Sequence, residues 1–94
     1  MVTTSEAFDR FETWRTAKTS LFVSVIERDK PEDMILGVCI DALDLDANLV
    51  GIRKLLRPQY AQFDVGEAQF SLEPGRMVVS RNDVEWLIFE ETNQ

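Results

Sequence analysis

The spacing of apolar residues changes once along this chain, near Thr19. Before it, Ala7, Phe8, Phe11, Trp14 and Ala17 recur at intervals of three and four, which predicts one amphipathic helix over residues 3–18. Thr3 and Glu6 stand at the spacing of a capping box, with Thr4 or Ser5 as alternative caps, and Glu6 and Arg10 form an i,i+4 pair on the polar side. After Thr19 the period falls to two. Residues 19–28 alternate Leu21, Val23 and Val25 against Phe22 and Ile26, so this strand is apolar on both faces and should be central or covered twice. A charged turn, ERDKPED, leads to a second strand, Met34 to Leu43, with Met34, Leu36, Val38, Ile40 and Ala42 on one face. Gly37 in its middle predicts a bend or a close backbone approach. A short strand follows at Asn48 to Ile52.

The second half continues in the same period. Gln62 to Leu72 places Ala68, Phe70 and Leu72 inward and Glu67, Gln69, Ser71 and Glu73 outward. Pro74-Gly75 has the form of a type II turn, and Asn82-Asp83 marks another tight turn between Met77–Arg81 and Val84–Glu90. Val84, Trp86 and Ile88 oppose Leu87 and Phe89. The pattern predicts a mainly β chain with one helix (α+β): an N-terminal helix, then a small barrel or curled antiparallel sheet of five or six short strands. The expected core is Phe8, Phe11 and Trp14 of the helix with Leu21, Val23, Val25, Leu36, Val38, Ile40, Phe70, Leu72, Val79, Trp86 and Ile88.

Composition narrows the chemistry. Ninety-four residues suffice for one domain, residues 1–94, and 45% hydrophobic with 29% charged content is ordinary for a water-soluble chain. A net charge of -7 repels phosphate at long range and disfavours sequence-independent nucleic-acid binding. The absence of histidine removes the commonest general base and the commonest metal ligand together. Cys39 is the only cysteine and can form no intramolecular disulfide; with no adjacent Lys, Arg or His to lower its pKa, it reads as a structural thiol. MVTTSEAFDRF lacks a basic and then apolar leader, and no apolar run approaches the ~18 residues of a membrane span. These features predict a reduced, cytoplasmic protein without a membrane partner.

Three stretches merit a chemical reading. Asp44, Asp46 and Asn48 open like a calcium loop, but Leu49 and Leu55 occupy the places of its glycine and its bidentate glutamate, so a turn rich in Asp and Asn explains them and no metal is expected. Arg53, Lys54 and Arg57 form the only basic cluster and are a candidate contact for an anion or an acidic partner. The glycines are isolated and make no phosphate loop, and no nucleophile stands with a histidine base. Neither an enzyme nor a cofactor is expected.

The element order and several spacings resemble the Sm/LSm (Hfq-like) family over about half the chain. Val23 and Val25 precede the turn, Gly37 and Ile40 fall in the next strand, and Asp44, Asn48 and Leu49 match the end of the first motif. Val78-Val79-Ser80-Arg81-Asn82 matches the second motif, with Asn82 where the family has glycine; the base-stacking position falls on Asp46, and the link from Arg53 to Leu72 is longer than usual. The resemblance implies single-stranded RNA binding, with Asn48 on a base edge, Arg81 stacking or bonding on it, and Asp44 orienting the loop. Two readings follow: a non-catalytic interaction module that self-assembles or docks a protein partner, and an Sm-like RNA binder, which the net charge disfavours.

Overall fold

The computed structural model of the protein describes residues 2–54 and 60–91. Helix α1, Thr4–Ala17, begins where the capping box predicts: the Thr3 hydroxyl accepts from the Glu6 N–H at 3.1 Å, and the Glu6 carboxylate accepts from the Thr3 N–H at 3.3 Å. It ends at Lys18, which adopts a left-handed conformation and donates to the Arg15 carbonyl. Ala7, Phe8, Phe11 and Trp14 are buried. Arg10 is not engaged with Glu6 as its spacing suggests. Its guanidinium donates instead to the Glu73 and Arg76 carbonyls and lies over the Trp14 ring, tying the helix to a distant hairpin.

Among the described residues seven strands follow, not five or six: β1 Leu21–Glu27, β2 Asp33–Asp44, β3 Leu49–Lys54, β4 Tyr60–Asp64, β5 Gln69–Glu73, β6 Arg76–Arg81 and β7 Val84–Glu90. The alternating stretch from Gln62 to Leu72 divides because Val65 to Ala68 turn away from a straight path; Glu67 takes a φ of 61°, and the Val65 N–H donates to the Asn48 carbonyl at 2.8 Å. All pairings are antiparallel, in the order β4-β3-β2-β1-β7-β6-β5. The sheet is therefore open, and the barrel alternative is corrected to a curled sheet with β4 and β5 at its edges. The curl is strong. Phe63 on β4 lies 5.6 Å from Trp86 on β7, although a flat sheet would hold those strands about 19 Å apart at ~4.8 Å per step. Helix α1 packs on β2 and β5 and joins the same apolar cluster from the concave side.

Strand β2 produces the bend by changing partners. Its first half, Asp33 to Val38, pairs with β1; its second half, Val38 to Asp44, pairs with β3. Two register shifts lie along it. Val23 faces Ile35 and Leu21 faces Val38, so Leu36 and Gly37 together oppose Phe22. Farther on, Ile40 faces Ile52 and Ala42 faces Gly51, leaving Asp41 as the extra residue. Gly37 sits at φ 64°, and its N–H donates to the Glu91 carboxylate at 2.9 Å.

Each bulge shifts the alternation by one residue, so the inward set becomes Ile35, Val38, Ile40 and Leu43. The expected set is right only at its centre. Leu36, expected in the core, is 62% exposed, and Met34 is 53% exposed. Val25 and Leu72 are half-buried and pack on the core; the other expected core residues are buried. Ala7, Val50, Ile52, Val65 and Met77 complete the core cluster.

An added Cβ at Gly37 would meet no atom within 4 Å, so Gly37→Ala isolates the backbone term. It should cost about 1–2 kcal/mol in urea melts, the usual penalty for an L-residue in the left-handed region. An unchanged midpoint would show that the bend does not depend on this conformation. Trp14→Ala, which empties the core beneath α1, should cost about 3–5 kcal/mol by the same measurement.

Candidate interaction surface

The residues singled out by the Sm-like spacing fall into two structural devices. Asp44 closes β2, and its carboxylate accepts from the Ala47 N–H at 3.0 Å, holding the four-residue loop to β3. Asn48 ends that loop in the left-handed region at φ 56°. Arg81, at the end of β6, donates from Nε to the Gly66 carbonyl at 2.8 Å and lies 3.7 Å from the Asp64 carboxylate. An added Cβ on Gly66 would stand 3.6 Å from the Asn48 amide nitrogen, so Asn48, Asp64, Gly66 and Arg81 are brought to one place. They form a clasp. The β2–β3 loop holds Val65, and β6 holds Gly66, on the link between the two edge strands. Asp44 does not join the clasp directly. Asp64 and Gly66 had no signal in the sequence, because their roles arise only when the sheet curls.

The basic cluster does not behave as a unit. Arg53 is exposed and 3.8 Å from Asp41, the bulged residue of β2, while Lys54 is half-buried at the end of β3. Arg57 lies outside the described residues.

Among the described residues, the convex face of β2, β1, β7 and β6 carries three exposed large apolar side chains, Ile26, Met34 and Leu36. The strand registers arrange it in rows. The first row runs Leu36, Phe22, Phe89, Arg76; Phe22 stacks on Phe89 at 4.7 Å, and the Arg76 guanidinium lies 5.3 Å from the Phe89 ring centre. The second runs Met34, Ser24, Leu87, Val78, with Ser24 buried and donating to Glu32. The third holds Ile26, Glu85 and Ser80, with the Ser80 hydroxyl bonded to Glu85 at 3.4 Å. Phe22, Ile26, Leu87 and Phe89 were legible as a second apolar face from their alternation. Met34 and Leu36 were missed because the Gly37 bulge turns them outward. Cys39 is buried on the face opposite Val38 and Ile40.

An open groove of about 560 Å³ runs between β2, β3 and β4, where Asp33, Lys54 and Tyr60 supply the polar groups beside Met34, Ile35, Ile52 and Ala61. The Arg15 guanidinium hydrogen-bonded to Glu12 holds that carboxyl below its usual range, but the pair lies on the exposed face of α1. Among the described residues no three His, Cys, Asp or Glu side chains stand close enough to hold a metal ion, and no helix is long and apolar enough to cross a membrane. No family model, curated protein or solved structure matches the chain.

Two outcomes follow. Arg81→Ala should cost about 1.5–3 kcal/mol, the scale of a charge-assisted hydrogen bond, and should speed hydrogen exchange at the Val65 amide. Unchanged exchange at Val65 would show that Arg81 does not clasp the link. Thermal melts with and without a chelator should coincide, because among the described residues no three His, Cys, Asp or Glu side chains gather as ligands; a large drop with chelator would make Asp41, Asp44 and Asp46 metal ligands.

Proposed function

We propose that this protein is a non-catalytic interaction module that works through the convex face of its sheet. One observation carries the reading: Leu36, Met34 and Ile26 are 62%, 53% and 40% exposed beside the stacked Phe22–Phe89 pair, on strands whose concave face is already the core. Scattered exposed apolar residues are ordinary, but a contiguous patch of this kind on a small chain marks a contact surface. The occupant is another copy of the chain or a protein partner. A cytoplasmic setting suits the lone buried thiol of Cys39.

The Sm-like reading has one observation in its favour: Asn48 and Arg81, distant in sequence, meet around Gly66. Against it, the Arg81 donors face a carbonyl and a carboxylate, which leaves them poorly placed to stack on a base. With a net charge of -7, RNA binding is expected to be weak and steeply salt-dependent.

Light scattering at micromolar concentration, beside filter binding with uridine- and adenine-rich oligonucleotides, separates the readings. The interaction reading expects self-association without RNA affinity at physiological salt. A monomer that binds RNA under those conditions, and loses it in Asn48→Ala and Arg81→Ala, would overturn it.

A further inference from the structure

Building on the interaction reading, we propose that the occupant of the convex face is a second copy of this chain, packed face to face about a two-fold axis that crosses the strands. The charges on the face favour this arrangement. Arg76 is the cation of the first row, and Glu85 lies in the third row, one strand inward. A two-fold axis along the middle row lays the first row of one copy over the third row of the other. Glu85 then falls over Phe89 of the partner copy, beside the guanidinium that already covers that ring. Symmetry makes two such Arg76–Glu85 pairs. The same operation brings Phe22 against Ile26, and the middle row meets itself through Leu87 and Met34.

The state of Arg76 in a single copy agrees with this. Its Nε lies 2.9 Å from the Glu73 carboxylate, yet that nitrogen makes no well-directed hydrogen bond, and the side chain remains 43% exposed. The guanidinium lies 5.3 Å from the Phe89 ring centre with its Nε buried, and the exposed part of the side chain can receive a second carboxylate from outside. An axis parallel to the strands would instead place Arg76 over Leu36, desolvating the cation with no carboxylate beyond its own Glu73. Two sheets packed face to face in this way form the inner layer of a sandwich.

Sedimentation equilibrium of the full chain tests the axis through charge reversal. Arg76→Glu and Glu85→Arg should each weaken the dimer by about tenfold or more, and the Arg76→Glu/Glu85→Arg double variant should recover affinity to within about threefold of the wild type. Circular dichroism melts check that each variant is folded. Leu87→Glu, which places a charge in the middle row of the apolar contact, should give a monomer with either axis. A wild-type dimer that Leu87→Glu disrupts but that ignores both charge reversals, or fails to recover in the double variant, would overturn the axis and leave the interaction face standing. A wild-type monomer at all accessible concentrations, or a dimer indifferent to Leu87→Glu, would overturn the use of this face itself.

Discussion

The exchange of partners within β2 governs the rest of the molecule. One strand serves β1 with its first half and β3 with its second, and the two halves overlap only at Val38. A straight twelve-residue strand could not do this while keeping one face dry, since every side chain would hold its side along the full length. Gly37 and Asp41 supply the two irregularities, and Gly37 reaches a conformation that other residues occupy at a cost. The Glu91 carboxylate accepts from the Gly37 N–H and from the Ser20 hydroxyl, so the chain end after β7 is fastened to the bend.

From that bend follow both the core and the exposed face. It folds β3 and β4 over the concave side, bringing Phe63 onto Trp86 and leaving room for α1 to insert Phe11 and Trp14. It also brings the end of β4 near the start of β5, where a link of four residues is held by Asn48 and Arg81. The same bulge turns Leu36 outward and extends the Phe22–Phe89 face by one strand. Core closure and surface apolarity are thus two results of one backbone feature.

The sequence was legible wherever local rules decide the outcome. The helix and its capping box, the Pro74-Gly75 turn, the alternation of β1 and β7 and the α+β class were all readable, because each rests on contacts within a few residues. Strand number and closure were not, since the break at Val65 to Ala68 is imposed by a carbonyl of the β2–β3 loop some seventeen residues earlier. Leu36 was misplaced for a related reason. A period of two cannot reveal an extra residue, and the glycine that marks a bend does not say which neighbours change sides. Asn48 and Arg81 were singled out by resemblance and do come together, yet their visible bonds hold backbone in place.

The central claim, that the convex face is an intermolecular contact, is tested most directly by methyl NMR with a soluble paramagnetic gadolinium chelate at rising protein concentration. Leu45, exposed in the β2–β3 loop away from that face, serves as the internal control. The account predicts that the methyls of Met34, Leu36 and Leu87 lose paramagnetic relaxation as concentration rises while those of Leu45 do not. Equal relaxation of Met34, Leu36 and Leu87 at every concentration, or shielding confined to Leu45, would contradict it.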